Sequence, residues 1–557
     1  MEPTAPLPDD NGPEKEPKRI GRRAVLAGLG VGGVVVGTPS LVAAAGGRRG
    51  GRDGDGRRGS RGDGGPDRAG ARGRRGGGPG DDIPTSFSRI FDDHPPFEEA
   101  SDELREALQE IGRVGGIMDA ADPLEVGPIR LITEPELSPN NPDNPQHTAG
   151  ATFMGQFIDH DITGDAGSRL GRSESVRRSV NVRTPRLDLD SIYGGGPAES
   201  PQLYLDDDPL AFRVESGGRF EDVPRDGDGV AVIAEGRNDE NLIISGLQSA
   251  FLLAHNATLD RVRAGASRDP GSEAVFAETQ RLLRWHYQWI VLREILPQYV
   301  GAEMVADVLA NGRRVYTPNR ARIPVEFQTS AYRFGHSMIR PSYRANLAGD
   351  DGEPFFGFVF DPTQFGVDDP DDLNGGSRAP RRYIGWQTFF DFDDGEVKPN
   401  KRIDTKLSTP LFQLPVGSIS TQRGEPIGPL SLASRNLLRH ITWGIPSGQM
   451  VATEMGAAPL AAGDLADIAQ ISPSLGASTP LWFYVLREAE IAADGLHLGP
   501  VGGRIVAEVL IGLLELDDSS FLAAEPDWRP TLPSVGDDFR MTDLLTLAGV
   551  DPDARGE

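Results

Sequence analysis

The chain has 557 residues, of which 38% are hydrophobic and 25% charged, a composition typical of a soluble globular protein diluted by 70 glycines and 45 prolines. It contains no cysteine, which excludes disulfides, zinc–thiolate sites, iron–sulfur clusters, thiol nucleophiles and a cysteine-ligated haem. The net charge is −26; residues 1–80 carry 15 Lys and Arg against 9 Asp and Glu, a net of +6, so residues 81–557 carry −32 and should repel nucleic acid.

The first 45 residues have the pattern of a signal peptide. Adjacent Arg22 and Arg23 precede the apolar, glycine- and alanine-rich stretch 24–36, and small residues follow at 42–45. The paired arginines resemble a twin-arginine signal, so we predict export by that route. A short membrane anchor is the alternative, but glycine and proline interrupt the apolar run well short of the roughly 20 residues that a spanning helix needs. We therefore expect no stable membrane span once the signal is removed.

Two further regions follow the signal. Residues 46–82 are almost entirely Gly, Arg, Asp and Ser, which cannot bury a core and predict a disordered linker. No comparable linker comes later, so residues 83–557 are predicted to form one domain. Apolar residues recur there at helical spacing, whereas strand signals are short and scattered, which predicts a mainly α fold: a single large helical domain with little β structure. The predicted helices span 243–263, 279–300, 436–441, 480–491 and 505–516.

The segment 155–161, GQFIDHD, is the first candidate for a functional site. In a helix, Gln156 and His160 stand on one face at positions i and i+4, Asp159 lies beside that face, and Asp161 points elsewhere. A histidine between two aspartates is not typical of a hydrophobic core. Alone, the segment fits a solvated acidic helix end with an incidental histidine equally well.

Four more segments accompany it in chain order: 184–194 (TPRLDLDSIYG), 236–241 (GRNDEN) with 253–256 (LAHN), 331–336 (AYRFGH), and 435–439 (RNLLR) with 444–448 (GIPSG). Together the five resemble the distal helix, calcium loop, catalytic-arginine helix, proximal-histidine segment and proximal-asparagine helix of the animal-type haem peroxidases. That superfamily also contains the cyclooxygenases. The resemblance runs from about residue 86 to residue 522, and the signal pattern suggests an exported member of bacterial or archaeal type.

The resemblance implies a distal site for cleaving hydrogen peroxide. His160 would act as the general base that takes a proton from the peroxide and returns it to the departing oxygen, which requires a neutral imidazole at rest. Arg237 would supply fixed positive charge for the negative charge that develops as the O–O bond breaks. Gln156 would hydrogen-bond the distal water or a bound halide.

The resemblance also implies how a haem b is held. His336 would ligate the iron through one ring nitrogen, and Asn436 would fix the tautomer through the other. Arg333, one turn earlier, would lie near a haem propionate. The other six histidines are expected to have structural roles.

Two carboxylates match positions where the family forms ester bonds to the haem methyl groups. These are Asp159 and Glu240, and the alternative is that both are ordinary solvated carboxylates. Asn241 occupies the position where myeloperoxidase has the methionine of a sulfonium link, so that link is expected to be absent.

A calcium site is implied next to the distal histidine. Asp188 and Asp190 would project to one side of an extended segment, and with Thr184 and Asp161 they could form the oxygen cage that a hard cation prefers. Arg186 would contribute its backbone carbonyl. Because Asp161 adjoins the distal histidine, calcium there would fix the distal helix. Alone, the Asp-Leu-Asp pattern is more typical of a solvated loop.

Three functions stay open at this point. The first is a peroxidase that uses hydrogen peroxide and a small-molecule electron donor: a halide, thiocyanate, a phenol or a lipid. The second is a fatty-acid dioxygenase, disfavoured because Arg333 stands where cyclooxygenases have the radical tyrosine, with Tyr332 nearest, and because cyclooxygenases lack the aspartate present here as Asp159. The third is a non-catalytic, calcium-stabilised adhesion protein, disfavoured because the four central site residues are all intact: His160, Arg237, His336 and Asn436. The sequence leaves the oligomeric state open.

Overall fold

The computed structural model describes residues 86–555 except 166, 217–219, 267–270, 350, 365–366, 368, 379, 416–427 and 537. The predicted signal peptide, residues 1–45, and the predicted linker, residues 46–82, lie outside the described residues. All described residues belong to one unit, 77–557, and most of its buried apolar side chains form a single core cluster.

Helices dominate the described residues, which confirms the prediction of a mainly α fold. In chain order the α-helices are α1 (Asp102–Ile111), α2 (Pro128–Thr133), α3 (Gly150–Ile162), α4 (Asp190–Tyr193), α5 (Gly196–Glu199), α6 (Leu242–Gly265), α7 (Ser272–Ile290), α8 (Leu296–Val300), α9 (Ala302–Asn311), α10 (Val325–Thr329), α11 (Leu432–Trp443), α12 (Gly448–Glu454), α13 (Ala466–Ile471), α14 (Pro473–Ala477), α15 (Leu481–Ala493), α16 (Pro500–Glu515), α17 (Phe521–Ala524), α18 (Met541–Leu547) and α19 (Pro552–Arg555).

The strands are short and form three antiparallel pairs among the described residues. They are β1 (Asp143–Thr148) with β6 (Pro399–Lys401), β2 (Glu215–Ser216) with β3 (Glu221–Asp222), and β4 (Ser342–Arg344) with β5 (Phe356–Phe358). None of them is long enough to form a layer of its own, so the sheet pairs serve as connections between helices.

The central helix α6 shows how the sequence sets one element. Asn241 precedes it, and its side chain accepts hydrogen bonds from the backbone N–H groups of Ile243 and Ile244, which satisfies two donors that the first turn leaves unpaired. By length and composition α6 is the one described helix apolar enough to cross a membrane, yet 83% of its most apolar window is buried in the protein. Burial of that kind is typical of the core helix of a soluble protein.

The helix predicted over 279–300 differs most from the structure. It begins seven residues earlier, as α7, and a π-helical turn at Val291–Ile295 joins α7 to α8. The predicted helices over 243–263 and 505–516 correspond to α6 and α16, and those over 436–441 and 480–491 correspond to α11 and α15.

Two short 3-10 helices and α3 bring the candidate residues together. Gly236–Asp239 precedes α6, Ala331–Met338 follows α10, and α3 packs against both. Helices α15 and α16 support Ala331–Met338 from the other side. Close packing also fixes α3, since a side chain at Gly155 would place its Cβ 2.7 Å from the Tyr299 hydroxyl, and that hydroxyl donates to the Ala151 carbonyl at 2.6 Å.

Candidate active site

One cavity of about 250 Å³ brings most of the predicted site residues together. They reach it from α3, from the segment around Gly236–Asp239, and from Ala331–Met338. The polar residues in its wall include Gln156, Asp159, His160, Arg237, Glu240, Asn241, Arg333 and His336. Its apolar wall includes Phe153, Tyr299, Tyr332, Phe334, Met338, Ile339, Val359, Phe360, Leu411, Leu414 and Leu432. A cavity with an apolar wall and a few polar groups is typical of a cofactor site.

His160 occupies the last turn of α3, where its side chain is buried. Its Nδ1 lies 2.8 Å from the side-chain oxygen of Asn238. Its Nε2 lies on the cavity side, 3.5 Å from a carboxylate oxygen of Glu240. The imidazole is thus held by one nitrogen and presents the other to the cavity.

Gln156, one turn before His160, is held by two residues of the cavity wall. Its amide nitrogen donates to Glu240, and its amide oxygen accepts from the side-chain nitrogen of Asn241 at 3.2 Å. Asn241 therefore both caps α6 and orients Gln156, a role that the sequence analysis did not anticipate.

Arg237 is anchored to a carboxylate and to the end of the distal helix. Its Nε and Nη2 donate to the two carboxylate oxygens of Glu235 at 2.9 and 3.0 Å, and Nη2 also donates to the carbonyls of Thr163 at 2.6 Å and His160 at 3.2 Å. The remaining nitrogen, Nη1, lies 4.0 Å from Asp159. The guanidinium thus has a fixed orientation at the cavity wall.

Glu235 is ionised in this position, although it is buried. Burial alone would raise its pKa, but the charge and hydrogen bonds of Arg237, followed by the charges of His160 and Arg183, lower the pKa of Glu235 to about 2. Arg183 reaches the same carboxylate at 3.0 Å. Sequence reasoning missed Glu235, because no spacing rule marks a carboxylate two residues before an arginine.

His336 lies in the 3-10 helix Ala331–Met338, and the side-chain amide of Asn436 lies between it and Arg333. The amide nitrogen is 2.7 Å from His336 Nδ1, and the amide oxygen accepts from Arg333 Nη1 at 3.0 Å. Burial, reinforced by the charge of Arg333, lowers the pKa of His336 to about 3. The imidazole is therefore neutral at physiological pH, as a metal ligand must be.

Arg333 lies at the edge of the same cavity. Burial lowers its pKa to about 10. Its hydrogen-bond partners among the described residues are neutral oxygens: the Gln328 carbonyl accepts from Nε at 2.8 Å, and Asn436 accepts from Nη1. A half-buried guanidinium with neutral hydrogen-bond acceptors is suited to an anionic group.

The three predicted calcium carboxylates come together beside the distal helix. Oxygens of Asp161, Asp188 and Asp190 lie within 4.8 Å of one another. Burial, reinforced by Asp188, raises the pKa of Asp190 to about 7, and burial also raises those of Asp161 and Asp188. Thr184 donates to Asp188 at 2.7 Å. Carboxylates that resist ionisation together favour a bound cation.

The expectation of an extended segment through Asp188 and Asp190 was wrong. Leu189 between them is left-handed, with φ 61° and ψ 33°, and α4 begins at Asp190. This turn lets the Leu189 N–H donate to Asp161 at 3.2 Å. The carboxylates therefore converge through a tight turn and not through strand alternation.

The remaining histidines lie outside this cavity. His255, for example, bonds the Tyr193 hydroxyl at 3.0 Å and the Leu210 carbonyl at 2.9 Å, contacts that fit a packing role. A larger cavity of about 610 Å³ contains His147 and His497, but its described wall has no arginine to accompany them. The smaller cavity is therefore the better candidate for catalysis.

The sequence matches known proteins over part of its length. The family model for animal haem peroxidase matches residues 165–354, a range that includes Arg237 and His336 and stops short of His160 and Asn436. Thyroid peroxidase from Homo sapiens is 26% identical over 209 residues, 33% of this chain and 22% of that protein. Peroxinectin A from Dictyostelium discoideum is 24% identical over 314 residues, 55% and 49% of the two chains. This chain thus spans at most about half of these relatives.

Solved structures share the fold over most of the chain. Peroxidase A from Dictyostelium discoideum superposes with a TM-score of 0.56 at 16% identity, covering 83% of this chain and 92% of that one. A variant fatty acid alpha-dioxygenase from Oryza sativa, with palmitic acid, superposes with a TM-score of 0.51 at 14% identity, covering 82% and 78%. At these identities the likeness establishes the fold alone.

Proposed function

We propose that this chain is a member of the animal haem peroxidase family that reduces hydrogen peroxide at a histidine-ligated haem and oxidises a small electron donor. One observation carries the proposal: a single cavity holds the neutral, half-buried imidazole of His336 together with His160, Gln156 and Arg237. A ligand for iron, a base and a fixed cation are the groups that peroxide cleavage needs.

The cavity fits a haem b. Its apolar wall suits a macrocycle, His336 would ligate the iron, and Arg333 would bind a propionate in place of neutral partners. A neutral imidazole that ligates iron through Nε2 keeps its proton on Nδ1. The Asn436 amide, whose nitrogen faces Nδ1 in this structure, would therefore turn its oxygen toward His336 when the haem is bound. When bound, the haem supplies the iron at which peroxide binds and is reduced.

The distal residues divide the work of the reaction. When a haem is bound, His160 Nε2 would take a proton from one oxygen of peroxide and return it to the other, so that the second oxygen could leave as water. Arg237 stabilises the negative charge on the separating oxygens. Gln156, held by Asn241, orients a water molecule or a halide beside them.

We also propose ester links between the haem and two carboxylates of the cavity wall, Asp159 and Glu240. Both side chains are about one quarter to one third exposed toward the cavity. Glu240 already contacts Gln156 and His160, so a link there would also fix the distal residues.

The carboxylate cluster is proposed to bind calcium. Asp161, Asp188, Asp190, the Thr184 hydroxyl and the Arg186 carbonyl would supply oxygen ligands. The convergence of three carboxylates within 4.8 Å supports this assignment.

We propose that the protein is exported and works on small molecules. The charged and apolar pattern of residues 1–45 supports export, and the strongly acidic remainder of the chain argues against nucleic acid as a partner. Halides, thiocyanate and phenols are the donors to screen.

A fatty-acid dioxygenase is the second candidate, because Tyr332 lines the same cavity and its buried hydroxyl has no hydrogen-bond partner among the described residues. A dioxygenase would oxygenate a fatty acid, and the Tyr332→Phe variant should lose this oxygenation while it still reduces peroxide. Peroxide-dependent oxidation of small donors without fatty-acid oxygenation would exclude it.

Absorption spectra before and after hydrogen peroxide, followed by the donor screen, test the main proposal. The protein should bind one haem with a Soret band that peroxide changes. His336→Ala should lose most of the haem, whereas His94→Ala, at a histidine outside the cavity, should keep it. A protein that takes up no haem, as the adhesion reading predicts, or a His336→Ala variant with full haem and normal turnover, would contradict the proposal.

A further inference from the structure

We infer that Asn238, held by Gln248, is a positioning residue that keeps the proton of His160 on Nδ1 and leaves Nε2 free to act as the base. The inference rests on the proposed peroxidase function. Nothing in the sequence pattern marks either amide, since both read as ordinary polar residues near the start of α6.

Asn238 is placed between the distal histidine and the core. It follows Arg237 in the 3-10 helix Gly236–Asp239 and is 0% exposed, and Gln248 in α6 is 1% exposed. Burial shields both amides from bulk solvent, so the hydrogen bonds among these side chains determine one another.

The direction of each hydrogen bond follows from the chain of partners. The Asn238 amide nitrogen donates to the Gln248 side-chain oxygen at 2.7 Å. The Asn238 oxygen therefore faces His160 Nδ1, 2.8 Å away. An oxygen can only accept, so Nδ1 must carry the proton and Nε2 must be bare when the imidazole is neutral.

This tautomer is the one that the chemistry requires. A bare Nε2 beside Glu240 on the cavity side can accept a proton from peroxide, whereas the other tautomer would present an N–H there and could not. The same 3-10 helix also carries Arg237, so one turn of backbone sets the position of the cation and the protonation pattern of the base.

Three substitutions test the inference. Asn238→Leu removes the acceptor, Asn238→Asp keeps an acceptor but adds a charge, and Gln248→Met leaves Asn238 in place but frees its orientation. Asn311→Leu, on the surface helix α9, serves as the control.

The first measurement is ¹⁵N solid-state NMR of the full chain, labelled at histidine and loaded with diamagnetic zinc protoporphyrin. A His160→Gln spectrum identifies the signals of His160. Wild type and Asn311→Leu should show a protonated Nδ1 and a bare Nε2. In Asn238→Leu a substantial share of His160 should carry its proton on Nε2, and Gln248→Met should show a smaller share.

The second measurement is the rate at which peroxide changes the haem spectrum, as a function of pH. Asn238→Leu should be slower by about 10–100-fold, by analogy with the loss of a hydrogen-bond partner that orients a metal-ligating histidine. Asn238→Asp should move the acid limb of the profile to higher pH, because a carboxylate next to Nδ1 favours the imidazolium. A purely structural role would leave that limb unmoved.

The possible results distinguish a failure of the Asn238 inference from a failure of the proposed peroxidase function. An unchanged tautomer in Asn238→Leu, or a wild-type rate and pH profile in both Asn238 variants, would overturn the inference while leaving the peroxidase proposal intact. A wild-type protein that binds haem but does not react with peroxide would overturn the proposed function, and the NMR result would still decide what Asn238 does.

Discussion

Replacing Glu235 with glutamine tests how the distal arginine is held. The substitution keeps the shape of the side chain and removes the charge that faces Arg237 at 2.9 and 3.0 Å and Arg183 at 3.0 Å. Two partly buried guanidinium groups would then lose the carboxylate they share, and an unpaired charge beside a buried site is costly. We expect Glu235→Gln to lower stability and to loosen Arg237.

The magnitude follows from the pKa of Glu235, about 2 in the folded protein against an ordinary value of 4.5. A difference of this size corresponds to about 3 kcal/mol in favour of the ionised, folded state. Because the folded pKa is depressed, this contribution is complete above about pH 4.5 and is lost as the pH falls toward 2. For a domain of this size 1 kcal/mol shifts the melting temperature by roughly 1 °C, so Glu235→Gln should melt about 3 °C lower at pH 7.

Differential scanning calorimetry at pH 7 and stopped-flow mixing with peroxide measure the two effects. Arg237→Ala should slow the peroxide reaction by about 10²–10³-fold, and Glu235→Gln should slow it by less, because Arg237 keeps its bonds to Thr163 and His160. Glu134→Gln, which breaks the exposed pair with Arg130, should change neither quantity, since such pairs contribute little. A Glu235→Gln variant with wild-type melting temperature and wild-type rate would refute the reasoning.

Three further predictions concern the haem, the cation and the base. After cycling with peroxide, acidified organic solvent should fail to extract part of the haem from wild type and should extract all of it from an Asp159→Ala, Glu240→Ala double variant; clean extraction from wild type would exclude ester links. Metal analysis should find one calcium, and Asp188→Ala should lower both calcium content and melting temperature; a calcium-free protein with full activity would contradict the site. His160→Ala should keep its haem but react with peroxide about 10²–10⁴-fold more slowly, and a wild-type rate would place the base elsewhere.

The helices that the sequence predicts well are those with a continuous apolar stripe. In α16, for example, every residue from 505 to 514 is buried, so the apolar residues whose spacing predicts the helix all lie in the core. The first turns of α7 were missed because their side chains are mostly exposed, with Val275 the first buried residue, so no periodic burial marks where the helix begins. Tertiary contacts determine where such a helix begins, and these contacts cannot be read from the local sequence pattern.

The candidate site likewise contains residues that the sequence predicts and residues that it does not. The residues proposed to react stand in short sequence segments that resemble the family's in type and order, which is why His160, Arg237 and His336 could be named from the sequence. The residues that hold them could not. Asn238 acts through a contact with His160, 78 residues earlier in the chain, and Glu235 joins Arg237 to Arg183, which lies in a separate segment. The apolar wall is assembled from segments as distant as Phe153 and Leu432, and no sequence window contains both.

The distal half of the site is tied to the carboxylate cluster by two independent routes. The first is covalent, since Asp161 in the cluster follows His160 in α3. The second is a chain of alternating charges: Asp190 lies 3.4 Å from Arg183, Arg183 contacts Glu235, and Glu235 holds Arg237. A cation bound to the cluster would attract the Asp190 carboxylate and weaken its ion pair with Arg183. Arg183 would then pair more strongly with Glu235.

The positions of His160 and Arg237 therefore both depend on the carboxylate cluster, whereas neither of these two connections leads to His336. His336 is held by Asn436 of α11. Asn436 in turn accepts from Arg333, which also donates to the Gln328 carbonyl in α10. Loss of the cation should accordingly slow the peroxide reaction before it releases the haem. Chelation followed in time by both the haem spectrum and the peroxide rate would reveal that order, and simultaneous loss of the two would show that the cluster supports the whole cavity rather than its distal half.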